Sequence, residues 1–252
     1  MIKIEDVDVM GIRKAIKGMR NAMNSWDKSD SYPAVDCKKC GKVEREGVCR
    51  KEDRDCTGFE CYAVGEKDME LAKRLIKAGS SDRKFIRMIH VQADVTAPLY
   101  WWKEYDTYKV GTVANSCSTM YTIHKRDLTI DDFSHEHLSE RSMSFLQNLI
   151  EEINRNRSLY VKGFKGVPGD NDCDVKPYDK AYWWQMIQLL PSSFNQMRTI
   201  DLDYETLLNI YFQRRHHKLD EWVEFCKWIE TLPYMKEFLG LDKQTKIKEK
   251  EI

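Results

Sequence analysis

The stretch of sequence that decides the fold is Phe85–Tyr105, which reads FIRMIHVQADVTAPLYWWKEY. With Arg87 as an exception, its first half carries apolar residues at odd-numbered positions, namely Phe85, Ile89, Val91, Ala93 and Val95. Such alternation predicts a β-strand over Phe85–Val95 with one buried face. Thr96-Ala97-Pro98 then provides a helix N-cap and a proline for the first turn, so we expect the aromatic-rich segment after it to be a helix.

The spacing of apolar residues predicts further helices on both sides of this stretch. They lie between Val9 and Met23, from Lys67 to Ala78 with Gly79 as the stop, from Met143 to Ile153, from Tyr182 to Leu190, from Asp203 as N-cap to about His216, and from Leu219 to Ile229. Val110–Ile123 is rich in Ser, Thr, Gly and Asn and has no helical period. It is predicted to be an irregular, exposed loop of the kind that often lines sites.

The composition bounds the class of protein. At 252 residues with 42% hydrophobic content, the chain is long enough for one well-packed α/β domain or two small ones. Lys plus Arg equals Asp plus Glu at 41 each, so no net charge favours a nucleic-acid polymer or an anionic membrane. No apolar run is long enough to span a bilayer, and the N-terminus lacks the apolar stretch of a signal peptide. We therefore expect a cytoplasmic protein without a membrane partner.

Five of the eight cysteines crowd between Cys37 and Cys61, in a polar region where helical periodicity disappears. Cys37-x-x-Cys40-Gly has the spacing that presents two thiolates to one zinc ion, and Cys49 and Cys56 complete a candidate set of four ligands. The usual second CxxC pair is missing, so reduced or redox-active thiols remain an alternative to a structural zinc. We expect residues 24–65 to be an insertion within a single domain of residues 1–240, followed by a flexible charged tail at 241–252.

Three segments between Leu71 and Trp222 resemble the flavin-dependent thymidylate synthases. The first is a helix ending at Gly79, then a strand, then the helix start Ala97-Pro98-Leu99-Tyr100. The second is Asn115-Ser116-Cys117-Ser118-Thr119-Met120-Tyr121, which matches the family signature R-H-R-x-x-S-x-N-E-x-S-x-R-Y at its asparagine, serine and tyrosine. The third is the Leu190-Pro191 turn, a helix with Asn209 and Arg214-Arg215, and then Trp222.

The resemblance implies an α/β (α+β) fold in which a small sheet packs against helices. It implies reductive methylation of dUMP to dTMP, with methylenetetrahydrofolate as carbon donor, NADPH as reductant and FAD carrying the methylene and hydride. It also implies a homotetramer whose sites are shared between subunits.

Site residues follow from the resemblance by position. The family match assigns the nucleotide substrate to Lys103, Glu104, Ser118, Tyr121, Arg214 and Arg215. Among these, Ser118, Arg214 and Arg215 are the candidate catalytic residues. The flavin is assigned to Tyr108, Lys109, Asn115 and Asn209.

The departures from the family pattern fall mostly on charged groups. Thr107-Tyr108-Lys109 stands in place of R-H-R, Ser116 in place of the glutamate, Met120 in place of the last arginine, and Glu104 in place of a glutamine; Trp184–Gln188 lacks the family's arginine and Ser81–Phe85 its histidine. Phosphate groups need fixed cations or backbone N–H groups, and a glutamate nearby disfavours them. Lys103, Lys109, Arg214 and Arg215 remain as possible cations.

Other interpretations stay open. Arg214-Arg215-His216-His217 is also typical of a solvated last turn of a helix, and Trp101-Trp102 is more typical of a core than of a flavin-stacking surface. A relative that binds a nucleotide or flavin without making thymidylate would fit the altered signature. A non-enzymatic assembly or regulatory protein, with the aromatic and cysteine regions as contact surfaces, is the third possibility.

Overall fold

The fold was analysed in a computed structural model, which describes residues 1–35, 60–166 and 174–241. Its strands are β1 (Lys3–Met10), β2 (Tyr32–Val35), β3 (Glu60–Ala63), β4 (His90–Pro98), β5 (Thr112–Ser116) and β6 (Asn195–Asp203). Four of them form a sheet in the order β1-β4-β6-β5, and β2 pairs with β3 in an antiparallel ribbon. The proposed zinc ligands Cys37, Cys40, Cys49 and Cys56, and residues 242–252 of the predicted tail, lie outside the described residues.

The helices are α1 (Ile12–Met19), α2 (Glu66–Ala78), α3 (Leu99–Tyr105), α4 (Thr119–Thr122), α5 (Glu140–Lys162), α6 (Lys180–Leu189), α7 (Tyr204–Arg214), α8 (Asp220–Ile229) and α9 (Met235–Leu239). Within the described ranges, none of these helices combines the length and apolarity needed to cross a bilayer. The predicted small sheet with helices is therefore confirmed.

The chain divides into two compact units. The first comprises Met1–Val7, Gln92–Asp201 and Arg214–Phe225. The second comprises Asp8–Val91, Leu202–Gln213 and Cys226–Ile252.

Strands β4 and β6 pair antiparallel in the first unit. Gln92 donates a hydrogen bond to Asp201 at 2.9 Å, and Thr199 donates one to Asp94 at 2.6 Å. The residue numbers rise along β4 while those of their partners on β6 fall, which is the order of antiparallel strands. The opposite face of β4 is buried, as the alternation predicted, at Val91, Ala93, Val95 and Ala97. The strand itself begins later than predicted. Arg83–Met88 is a 3₁₀ helix in which the adjacent residues Phe85 and Ile86 are both buried, a pattern that a strand with one buried face does not give.

Helix α3 follows β4 directly, as expected, but its start differs from the prediction. Pro98 is both the last strand residue and the N-cap position, so Thr96 does not cap the helix. The first-turn N–H groups of Leu99 and Tyr100 instead donate to the carbonyls of Phe194 and Ser192, at 3.0 Å each. Because those groups have backbone acceptors, the helix needs no side-chain cap.

The prediction of an irregular loop at Val110–Ile123 is wrong in part. The segment contains β5, at one edge of the sheet, and the short helix α4. Four of the five β5 residues are exposed, so the strand lacks the apolar alternation by which a half-buried strand is detected. The same absence of a clean alternation hid β1 and β6, and the predicted N-terminal helix is shorter because Val9 belongs to β1.

Two of the predicted helix signals are confirmed. Gly79 ends α2 with a positive φ, and Asp203 caps α7 by accepting a hydrogen bond from the N–H of Thr206 at 2.7 Å. Trp101 and Trp102 are completely buried, so the pair belongs to the core of the first unit rather than to a stacking surface.

Glu205, in the first turn of α7, holds two arginines in the second unit. Its carboxylate accepts hydrogen bonds from Arg83 at 2.9 Å and from Arg87, while Arg83 also donates to the side-chain oxygen of Asn209 at 3.0 Å. Burial acts to raise the pKa of Glu205, but the hydrogen bonds from Arg87 and Arg83 outweigh burial and hold that pKa below the ordinary value.

Glu205→Gln should lower the free energy of unfolding at neutral pH by about 2 kcal/mol, since charge-assisted hydrogen bonds are lost. A depressed folded-state pKa contributes stability above the ordinary glutamate value of 4.5 and loses it as pH falls through the folded-state pKa. Urea unfolding should therefore give a gap between wild type and variant at neutral pH that closes in acid. Glu70→Gln, at an exposed position on α2, is the matched control. A gap of equal size at both pH values would contradict this role.

Gly11 precedes α1 with φ +92°, and a Cβ there would lie 2.0 Å from the carbonyl oxygen of Met88. Gly79 has φ +114°, with nothing within 4 Å of the same added atom. Gly79→Ala should cost about 1–2 kcal/mol of unfolding free energy through backbone conformation alone, whereas Gly11→Ala should cost at least about 2 kcal/mol more through the clash. If Gly11→Ala and Gly79→Ala lose the same unfolding free energy in thermal unfolding, the clash at Gly11 is excluded.

Candidate functional site

Arg214 and Glu104 form the centre of a polar cluster in the first unit. Arg214 is the last residue of α7 and Glu104 lies in the last turn of α3. The Nη1 of Arg214 is 2.7 Å from the Oε2 of Glu104, and the two side chains are 21% and 34% exposed. Two residues predicted to contact the substrate are therefore brought together, but they neutralise each other.

Two aromatic rings lie beside the guanidinium of Arg214. Its Cζ lies 4.9 Å from the ring centre of Trp222 and 5.7 Å from that of Tyr108. Its Nε donates to the hydroxyl of Tyr108 at 2.8 Å. Cation–π contacts with two rings and hydrogen bonds to Tyr108 and Glu104 hold the cation in one orientation.

Glu104 accepts from more than the arginine. The indole N–H of Trp222 donates to its Oε2 at 2.9 Å, and the Nε2 of His217 is 3.5 Å from the same oxygen. The Nδ1 of His217 accepts the N–H of Leu219 at 3.1 Å, which leaves Nε2 to carry the proton in the neutral ring. The guanidinium of Arg214, the indole of Trp222 and the imidazole of His217 thus surround one carboxylate oxygen of Glu104. Together with Tyr108 these residues form the Arg214 cluster, a small anion site that is occupied by the carboxylate of Glu104.

The four residues of the predicted helix turn, Arg214-Arg215-His216-His217, differ in their exposure. Arg215 and His216 are exposed, as the solvated interpretation predicted. Arg214 and His217 are half-buried and belong to the cluster. Lys103, another predicted substrate cation, is exposed although its neighbour Trp102 is buried.

The signature segment Asn115–Tyr121 is held by its backbone and by β6. The N–H of Cys117 donates to the carbonyl of Met197 at 3.0 Å, and the side-chain amide of Gln196 donates to the carbonyl of Cys117 at 3.1 Å. The side chains of Asn115, Ser118 and Tyr121 are exposed. In the part of the chain that the structure describes, no hydrogen bond joins these three side chains to Arg214.

The four predicted flavin residues differ in what they can offer. Lys109 and Asn115 are exposed, with no partner for their side chains among the described residues. An ammonium and an amide are suitable donors for a diphosphate and for a ring carbonyl, so these two fit FAD in chemical type. Tyr108 already bonds Arg214, and in the second unit the side-chain oxygen of Asn209 is taken by Arg83.

Sequence reasoning missed Gln196 and Arg198 because it missed β6. Gln196 fixes the signature segment, and Arg198 lies 4.3 Å from the ring centre of Trp102 while pairing with Asp106 at 2.7 Å. Only the end of the strand alternates, with apolar Ile200 and Leu202 between the polar Thr199, Asp201 and Asp203, and that signal is too short to identify β6.

No cluster of three or more His, Cys, Asp or Glu side chains suited to a metal occurs in residues 1–35, 60–166 and 174–241. The zinc prediction concerns cysteines outside those ranges and stays a prediction.

Sequence comparison and structure comparison give different answers. No protein-family model and no curated protein sequence matches the chain. Its structure is similar to thymidylate synthase X of Helicobacter pylori solved with FAD and dUMP, with a TM-score of 0.56 and 13% identity over 95% of this chain and 97% of that one. A second structure of the flavin-dependent thymidylate synthase from Helicobacter pylori, also complexed with FAD and dUMP, gives a TM-score of 0.57 and 13% identity over 94% and 97% of the chains. The chain has the fold of the flavin-dependent thymidylate synthases.

Proposed function

We propose that this protein is a flavin-dependent thymidylate synthase that methylates dUMP to dTMP with methylenetetrahydrofolate, NADPH and FAD. The observation that carries the proposal is the fixed cation Arg214 beside the rings of Tyr108 and Trp222, in a chain with the fold of enzymes solved with FAD and dUMP. A guanidinium next to aromatic rings suits a ligand that has both an anionic group and a planar ring.

Each residue has a role in this proposal. Arg214 binds the phosphate or an oxygen of the pyrimidine ring, and the hydroxyl of Ser118 and the ring of Tyr121 contact the nucleotide. Lys109 and Asn115 hold FAD, which supplies the redox chemistry of the transfer when it is bound. Arg215 and Lys103 contribute positive charge near the substrate. Tyr108 and Asn209 remain flavin candidates only if ligand binding rearranges their present hydrogen bonds.

A homotetramer with shared sites is part of the proposal. It is supported by the exposed side chains around edge strand β5, where Val113, Met120 and Tyr121 are 68%, 59% and 76% exposed. An exposed strand edge beside apolar side chains is a surface that a second chain can cover. A cytoplasmic location and a structural zinc in the cysteine-rich insertion complete the proposal, and both rest on sequence alone.

A second candidate is a protein that binds the nucleotide or flavin without making thymidylate. The Glu104–Arg214 pair favours it, because a carboxylate already occupies the donors that a phosphate would use. The two candidates differ in turnover and not in fold. An assay for dTMP with all three co-substrates separates them.

The visible absorption spectrum tests flavin binding. Purified protein mixed with FAD and freed of excess by desalting should keep a flavin spectrum, and dUMP should shift that spectrum because the nucleotide ring lies close to the flavin in the proposed site. Retained flavin that shifts with dUMP, with dTMP formed, supports the synthase. Retained flavin without dTMP supports the second candidate, and no retained flavin contradicts both flavin proposals.

Replacing Glu104 should reveal the anion site. Glu104→Gln removes the competing charge but keeps the size of the side chain, so dUMP should bind about tenfold more tightly, whereas Arg214→Gln should weaken dUMP binding at least about tenfold. Isothermal titration measures both changes. Arg74→Gln, at an exposed position on α2, is the control and should leave dUMP affinity unchanged. Equal dUMP affinity in wild type and Glu104→Gln would mean that the carboxylate does not compete with the phosphate.

A further inference from the structure

A cavity lies beside α1 in the second unit. Its volume is about 280 Å³, which is at the small end of the range for ligand sites. The described residues that line it are Arg13, Lys17, Arg20, Trp26, Ser29 and Tyr62. All six precede Leu71, so this α1 cavity lies outside the three segments that resemble the flavin-dependent thymidylate synthases.

Three cations follow one another along one side of α1. Arg13, Lys17 and Arg20 are spaced by four and then three residues, which places them on the same face of a helix. At a rise of about 1.5 Å per residue, the Cα atoms of Arg13 and Arg20 are about 10 Å apart. The row of positive charge is therefore longer than a single phosphate group.

The innermost cation, Arg20, is held in one orientation. Its side chain is buried, and its Nε donates to the Oδ1 of Asp68 at 2.5 Å. Asp68 is completely buried, and its Oδ2 accepts from the hydroxyls of Ser29 and Ser31 at 2.5 Å each. The Nη1 of Arg20 donates weakly to the carbonyl of Ser25 at 3.4 Å, and its Nη2 has no acceptor among the described residues. A fixed guanidinium with a donor to spare suits an anionic ligand.

The positive charge of the wall is only partly balanced. Asp68 compensates Arg20, but Arg13 and Lys17 are exposed and have no ion-pair partner within residues 1–35, 60–166 and 174–241. None of the described lining residues is acidic. Exposed cations alone would be a solvated helix face, but here they stand beside a cavity and a buried, oriented guanidinium. This arrangement attracts an anion with more than one negative charge.

An aromatic ring forms another part of the wall. The indole N–H of Trp26 donates to the side-chain oxygen of Asn21 at 2.8 Å, and the side chain is 46% exposed. Across the cavity lining, Tyr62 is half-buried and its carbonyl accepts from the hydroxyl of Tyr234 at 2.6 Å. Trp26 therefore offers a positioned flat surface next to the cations.

We infer that the α1 cavity binds a small polyanion with two or three linked phosphate groups. The phosphate chain lies along the three cations, and the guanidinium of Arg20 donates to it. Such a chain occurs as a free oligophosphate or as the arm of a molecule whose ring lies on Trp26. The inference does not rest on the proposed function, because the cavity shares no residue with the Arg214 cluster or with the proposed flavin residues.

Titration calorimetry of the full chain with tripolyphosphate, at about 0.15 M salt so that distant charges are screened, measures the dissociation constant. Orthophosphate should bind at least about tenfold more weakly, because it reaches fewer of the cations. Lys17→Gln should weaken tripolyphosphate binding about fivefold to tenfold. Lys14→Gln is the matched control and should leave the affinity unchanged, since Lys14 is exposed on α1 and does not line the cavity.

ATP distinguishes the two sources of the phosphate chain. Tighter binding of ATP than of tripolyphosphate, with the difference lost in Trp26→Leu, identifies a ligand with a ring. Binding of ATP no tighter than that of tripolyphosphate identifies the free chain.

Three results would overturn the inference: tripolyphosphate does not bind, it binds no more tightly than orthophosphate, or Lys14→Gln weakens it as much as Lys17→Gln. The titration is repeated with saturating FAD. Competition between FAD and tripolyphosphate would assign the binding to the flavin site and overturn a separate site. Flavin retention, measured without tripolyphosphate, still reports on the proposed function by itself.

Discussion

The pairing of β4 with β6 is the constraint on which the candidate site depends. β4 runs without a loop into α3, and thereby fixes where Glu104 lies. β6 continues directly into α7, whose last residue is Arg214. Because side chains alternate between faces, a one-residue shift of β6 would move its side chains to the opposite face of the sheet. The cross-strand hydrogen bonds of Gln92 and Thr199 hold the register that prevents it.

Charge in the Arg214 cluster is balanced within the chain. A pair with side chains 21% and 34% exposed contributes about 1 kcal/mol or less to stability. Because this ion pair is weak, a phosphate with up to two negative charges can displace the carboxylate of Glu104. The phosphate would then accept the hydrogen bonds of Arg214, Trp222 and His217. In the proposed function Glu104 is therefore the competitor that sets the affinity for anions, while the rings of Tyr108 and Trp222 orient the cation.

The elements whose buried apolar residues recur with a clear helical or strand spacing could be predicted from the sequence. The alternation in β4, the helix α2 with its glycine stop and the cap at Asp203 all report local physics, and all are present. It failed at β5 and β6, whose side chains are largely exposed or mixed, because strand pairing depends on residues distant in the chain. The thymidylate synthase fold was reached only through resemblance to the family.

The candidate site was predicted as a set of residue types and not as a set of contacts. Glu104 and Arg214 were both identified, but no local pattern reveals that residues so far apart in the chain form an ion pair. The charge of Glu104 was predicted to be unfavourable to phosphate, and that stays a prediction; the structure shows that its carboxylate accepts hydrogen bonds from Arg214 and Trp222.

The central claim is that Arg214 is an anion-binding group masked by Glu104. A crystal structure of the protein grown with FAD and saturating dUMP tests it most directly. The claim predicts that the guanidinium leaves Glu104 and lies within hydrogen-bond distance of the phosphate, still beside the rings of Tyr108 and Trp222. Bound dUMP with the Glu104–Arg214 pair intact and the phosphate held by other residues would contradict it.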